Sequence, residues 1–191
     1  MANPTDVIVV TDGDATAWRA VEAASSELGL VPLAVSRGNP TGVDADQIIA
    51  EAQAQTGGPV VVMVDDQGDA GTGPGERILT HLLKDRRVRV LGVVAVAAHT
   101  SGVRGVMPDL SVDQHARGGA GAVDKDGEVV EGPLLGDTVD VLRGATEDIV
   151  VVGLGDPGKM EGQDALSAGV PATRAALAAV LRHHGRTSLS P

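Results

Sequence analysis

Aspartates fall just behind the apolar runs of this chain, and carboxylates placed that way are its side chains best suited to chemistry. Asp12 and Asp14 follow the run 7–11, Asp65, Asp66 and Asp69 follow 60–64, and Asp156 follows 149–154. If those runs are parallel strands, the acids lie at C-terminal strand ends, the edge on which open α/β sheets bind ligands. Carboxylates converging there repel one another, and a hard divalent cation such as Ca²⁺ or Mg²⁺ relieves that repulsion. Taken singly, an Asp after a strand reads as a helix cap or an Asx-turn. Taken together on three strands, the acids read as an ion or ligand site, because capping does not require that convergence. The expected metal ligands are Asp12, Asp65, Asp66 and Asp69.

Glycine-rich turns accompany the acids. The loop 65–76 carries Gly68, Gly71, Gly73 and Gly75 before a helix start, and Gly38-Asn39-Pro40-Thr41-Gly42 forms a comparable turn cluster. Glycine lets backbone amides approach a ligand, and a helix N-terminus favours an anion; the plain alternative is a surface turn. Gly153-Leu154-Gly155-Asp156-Pro157-Gly158 satisfies G-x-G-x-x-G, but the long helix and second strand of a dinucleotide unit do not follow. Gly158-Lys159 matches the end of a phosphate loop, yet Met160 stands where the magnesium-binding Ser or Thr belongs. Lys159 is expected instead to be a counter-charge to the aspartates. The expected ligand-binding residues are Asp12, Asp14, Gly38, Asn39, Gly68, Gly73, Gly75, Asp156, Gly158 and Lys159, and no catalytic residue is assigned. The five histidines show no metal-binding spacing and read as surface residues, and no G-x-S-x-G elbow is present.

Composition removes whole classes of function. The 191 residues carry a formal net charge of −11, which disfavours nucleic acid and anionic lipid. Without cysteine there are no disulfides, thiol nucleophiles or thiolate metal sites. Phe and Tyr are absent and Trp18 is the single aromatic residue, so no stacking platform for bases exists. No signal peptide is expected at the N-terminus, and the most apolar stretch, 90–98, is far short of a membrane span. A soluble protein is expected.

The elements that must position the acids alternate. Strands are expected at 7–11, 31–36, 60–64, 88–97 and 149–154. Helices are expected at 15–28, ended by Gly29, at 46–55, at 74–83 after Pro74, at 137–143 with Asp137 or Thr138 as cap, and at 171–183. Residues 99–121 read as loop with short strands, and 122–130 as a hairpin turning at Asp126-Gly127. Strands separated by helices of this length imply right-handed crossovers and a three-layer αβα fold with a mainly parallel sheet. The expected organisation is one domain over 1–184 and a disordered tail over 185–191.

These segments resemble the stage V sporulation protein AE family. The resemblance rests on Val10-Thr11-Asp12-Gly13-Asp14, Gly38-Asn39-Pro40-Thr41, Val62-Met63-Val64-Asp65-Asp66-Gln67-Gly68 and Gly73-Pro74-Gly75-Glu76. It continues through the strand 90–97, Val123-Asp124-Lys125, Gly136-Asp137-Thr138-Val139 and the segment 153–160, so it spans about 7–181. Pro157 and Ala98-His99-Thr100 depart from the pattern. The resemblance implies a soluble component of the spore-membrane system that moves dipicolinic acid with calcium during sporulation and germination; the family name supplies no individual activity, and a non-enzymatic role is expected. Its partners would be the other subunits of that stage V sporulation A transport system, with dipicolinate a candidate ligand. It would be held at the spore inner membrane through protein contacts, without inserting into the membrane. A looser likeness is to the Toprim domain of topoisomerases and primases. There Asp12 would stand for the catalytic Glu and Asp65-Asp66 for the D-x-D pair, and a magnesium-dependent phosphotransfer enzyme is the alternative. Adjacent strand-end side chains point to opposite sides, which opposes joint coordination by that pair.

Overall fold

The computed structural model describes residues 3–68, 72–144 and 149–185. β1 (Thr5–Val10) lies inside the sheet because Val7, Ile8, Val9 and Val10 are buried on both its faces. It pairs in parallel with β3 (Val60–Met63) on one side and β4 (Val88–Val96) on the other. β2 (Val31–Pro32) extends the sheet beyond β3. On the other flank β9 (Val150–Leu154) pairs with β4, β5 (Leu110–Val112) with β9, and β6 (Gly118–Gly119) closes the edge antiparallel to β5. The order is therefore β2-β3-β1-β4-β9-β5-β6, a mainly parallel seven-stranded sheet. Its β2-β3-β1-β4 half differs from the 3-2-1-4 order of dinucleotide-binding sheets.

Alternation along β1 divides the core. Ile8 and Val10 face α1 (Ala15–Leu28) and α4 (Pro171–His183), while Val7 and Val9 face α2 (Ala45–Gln53) and α3 (Pro74–Leu82). The sheet is thus covered on both faces, as its continuous apolar strands require. In β4 the partner of Val7 is Val90 and that of Ile8 is Gly92, an irregularity at Leu91. It switches which face successive residues serve: Val88 and Val90 join one core cluster and Leu91 and Val94 the other. Gly92 is needed because a side chain there would press on Val150 and on Val180 of α4.

Local chemistry sets the helix ends. Asp14 accepts hydrogen bonds from the amides of Thr16 and Ala17, each at 2.8 Å, and Gly29 closes α1 with φ of 67°. Pro171 opens α4, whose preceding Val170 offers no side-chain cap. Asp164 supplies it from a distance, accepting from the Ala172 and Thr173 amides and from the Thr173 hydroxyl.

Two expected elements differ. The strand expected over 31–36 has only two residues in the ladder. Pro32 has no amide to donate, and beyond it the Ser36 hydroxyl donates to the Leu33 carbonyl while accepting from the Met63 amide. That pair of bonds curls the chain into a 3₁₀ turn (Ala34–Ser36). The helix expected over 137–143 is a 3₁₀ turn at Asp140–Gly144. Asp137 and Thr138 do not cap it, because their side chains reach across to Gly68 and Asp66. The hairpin is as expected, with β7 (Ala122–Val123) and β8 (Val129–Val130) antiparallel around Asp126-Gly127. Of the expected tail only Gly185 is described; 186–191 lie outside the described residues.

Candidate functional site

The loops that leave β1, β2 and β3 are laced together by their own backbones. The Gly13 amide donates to Asp65 Oδ2 at 3.0 Å, and the Gly38 amide donates to the Gly13 carbonyl at 2.9 Å. The Thr41 hydroxyl accepts from the Asp65 amide at 2.9 Å, and the Asp65 carbonyl accepts from the Thr41 amide. Thr11 ties the end of β1 to β4 by accepting from the Val96 amide. On the other flank the Asp156 amide donates to the Lys125 carbonyl at 2.7 Å, which docks the β7–β8 hairpin against the end of β9. Together these contacts frame an open cleft of about 350 Å³ at the C-terminal strand ends. That is the size of a small-ligand site.

Carboxylates dominate its floor. One oxygen each from Asp12, Asp14 and Asp156 lie within 4.8 Å of one another. Lys159 spans two of them, its ammonium 2.9 Å from Asp14 Oδ2 and 3.1 Å from Asp156 Oδ2. Burial pushes the Asp12 carboxyl up to about 7, with the charges of Asp14, Asp65 and Asp156 adding to the shift against the Asp14 amide bond. Burial also raises Asp65 to about 6, opposed by the amides of Gln67 and Gly13 and reinforced by Asp137 and Asp14. Asp156 is raised by burial despite Lys159. Asp14 is lowered, because the Ala17 amide and Lys159 outweigh its burial. Thr100 lines the cleft and is 8% exposed, and its buried hydroxyl has no hydrogen-bond partner. The Thr100 hydroxyl is shut in and is not part of that group; the negative oxygens of the three aspartates around one space suit a hard divalent cation.

Of the expected residues, Asp12, Asp14, Asp65, Asn39, Gly68, Asp156 and Lys159 line this cleft. Asp66 does not join them. Its two oxygens accept from the Gly75 amide at 2.6 Å and the Glu76 amide at 3.0 Å, so it serves the start of α3. Asp65 and Asp66 thus face apart, as adjacent strand-end residues must, and the pairing a Toprim-type site needs is not formed. Asp69 lies outside the described residues. Four of the expected glycines sit where the chain packs closely against itself. A methyl group on Gly73 would strike the Asp66 carboxylate, on Gly75 the Asp65 backbone, and on Gly158 Thr16 of α1. Gly38 lies beside Gly13, where a methyl group on Gly13 would meet the Gly38 carbonyl. These glycines let segments of the chain approach one another.

Asp137, Lys125, His99 and Thr100 also line the cleft and were not singled out by type or spacing. Asp137 accepts from the Gly68 amide at 2.5 Å and so ties its own segment to the loop after β3. Its only sequence signal was the Gly136-Asp137-Thr138-Val139 motif, read as a helix start. A second group of possible ligands, Asp46, His81 and Asp85, lies at the opposite end of the sheet. There the Arg87 guanidinium bonds both aspartates and offsets part of their charge.

No curated protein and no solved structure matches the chain. The family model described as stage V sporulation protein AE1 matches residues 6–184, which takes in every cleft residue described above. Among the described residues no helix is long and apolar enough to cross a membrane. With nearly its whole length matched, the chain belongs to the stage V sporulation protein AE1 family, and its role is in sporulation.

Proposed function

We propose that this protein is a non-enzymatic component of the spore-membrane system that moves dipicolinic acid with calcium, and that it acts by holding a divalent cation in the strand-end cleft. The observation that carries the reading is the convergence of Asp12, Asp14 and Asp156 within 4.8 Å, beside Asp65. Calcium is the cation of the proposed cargo, and the all-oxygen donor set suits it. Dipicolinate is the candidate partner ligand, since its carboxylates would meet a bound cation on one side and Lys125 on the other. The net charge of −11 opposes direct attachment to an anionic bilayer, so recruitment goes through the other subunits of the stage V sporulation A system.

The test is made in spores. A strain whose only copy carries Asp12→Asn and Asp156→Asn should make the protein at normal abundance yet accumulate or release less dipicolinate. Normal content and normal germination release in that strain would overturn the reading. Purified protein should yield no products from RNA or DNA with magnesium, and should not sediment with anionic vesicles at physiological salt.

A further inference from the structure

We infer that the outer groove along α3 is a docking surface for an acidic segment of a partner protein, held by Arg77 and Lys84. The inference rests on the reading that this chain is recruited through protein contacts, and gives that contact a place and a chemistry.

Charge sets this surface apart. The chain carries fifteen Lys and Arg against twenty-six Asp and Glu, yet residues 77–89 hold five of those cations and a single acid, Asp85. Part of that charge is already used. Arg87 bonds Asp85 and Asp46, Arg89 bonds Asp6, and the His81 ring lies 3.2 Å from Asp85. Arg77, Lys84 and Arg86 are exposed and pair with no carboxylate among the described residues. Arg77 gives one donor to the Thr72 carbonyl, which leaves most of its five-donor fork open.

Shape brings two of these cations to one groove. Ile78, Leu79 and Leu82 of α3 are buried, while Arg77, His81 and Lys84 recur three to four residues apart on its exposed side. Two hollows of about 350 and 340 Å³ lie along that side and share Arg77 and His81. Val43, Pro74 and Ile78 give the first an apolar lining, and the second reaches Lys84. Asp44 also lines the first, but its carboxylate caps α2 by accepting the Gln47 amide. From Pro74 to Lys84 the chain rises roughly 15 Å, the reach of an extended segment of about five residues. Such a segment fits if it alternates apolar and acidic side chains, the first entering the hollows and the second meeting Arg77 and Lys84. Elsewhere a net charge of −11 repels an acidic partner, so the uncommitted cations also fix where it lands. An anionic bilayer is the poorer fit, since it calls for clusters of about four to eight basic residues.

The probe is a peptide of about ten residues alternating glutamate and leucine, titrated into the full chain labelled with ¹⁵N-lysine. Lys84, Lys125 and Lys159 are the only lysines, so each signal reports one place. At low salt the Lys84 signals should shift while those of Lys159 stay, and about 0.5 M sodium chloride should abolish the shift. Arg77→Glu with Lys84→Glu should bind at least about tenfold more weakly, the scale of two reversed surface pairs. Arg19→Glu with Arg182→Glu, the same charge change at exposed sites on α1 and α4, should bind as wild type does. The wild-type titration needs no variant to fold. An unmoved Lys84, equal binding of a glutamine–leucine peptide, or unchanged binding by the α3 variant overturns the inference. In spores, wild type and the α1/α4 variant should fractionate with the inner membrane, and the α3 variant should not. Wild type absent from that fraction sinks the recruitment reading and this inference with it. Retention of all three proteins leaves recruitment standing and overturns the groove. Sedimentation of wild type with phosphatidylglycerol vesicles, lost in the α3 variant, would assign the groove to lipid and overturn the protein partner.

Discussion

Asp164 and Asp12 are the same residue type, and what meets their oxygens makes them opposites. Asp164 is fully buried and receives four donors, the amides of Gly158, Ala172 and Thr173 and the Thr173 hydroxyl. Asp66 belongs with it, fixed by the amides of Gly75 and Glu76. Asp12 accepts one amide and otherwise faces the charges of Asp14, Asp65 and Asp156. Donors convert a buried carboxylate into a structural bolt, and other carboxylates convert it into a site that wants a cation. The two regions should therefore respond to mutation with opposite signs.

The largest effect is expected at the bolt. Asp164→Ala leaves two amides and a hydroxyl at the start of α4, and the Gly158 amide after β9, without their acceptor, and should cost about 3 kcal/mol. Urea unfolding should show the midpoint falling with the slope unchanged. Asp66→Ala should follow the same pattern at about 1–2 kcal/mol, the scale of a lost helix cap. In the cleft, Asp12→Asn should instead raise the stability of the cation-free protein at pH 7.5, by about 1 kcal/mol, because a largely buried carboxylate without a counter-charge is replaced by a neutral group. A destabilising Asp12→Asn would place Asp12 with the bolts and break the comparison.

A pH series sharpens it. Asp12 is pushed up to about 7 and Asp65 to about 6 from an ordinary 3.8. Between about pH 4 and 7 the folded chain holds protons that the unfolded chain has released. Stability of the cation-free protein should therefore fall as pH rises through that window and level off above about 7. Glu76, raised to about 7 by burial and by Asp66, contributes in the same direction. Asp12→Asn should flatten the slope, measured as urea midpoint against pH, while saturating calcium at pH 7.5 should restore the lost stability.

The centre of the sheet was legible in the sequence because β1, β3 and β9 are valine-rich runs, and α1 and α4 because Ala-rich periodicity ends at Gly29 or begins at Pro171. The turn after β2 was not, since Ser36 looks like any strand residue until its hydroxyl is seen bridging Leu33 and Met63. The irregularity at Leu91 was hidden for a related reason: every residue of β4 after Arg89 is apolar, so a change of face there leaves no trace in the pattern. At the site, Asp12, Asp14 and Asp156 could be found from their places behind strands. Asp66 could not be separated from Asp65 by type, only by where its oxygens go. Thr100 comes from an irregular loop, and Lys125 from a hairpin whose docking against the end of β9 no local spacing encodes.

The central claim is that Asp12 and Asp156, with Asp14 (which also caps α1), hold a cation and that Asp66, which only caps α3, does not. The direct measurement is the rise in melting temperature on adding millimolar calcium to wild type, Asp156→Asn and Asp66→Asn. The account predicts a rise in wild type that survives in Asp66→Asn and vanishes in Asp156→Asn. A rise lost in Asp66→Asn and kept in Asp156→Asn would contradict it.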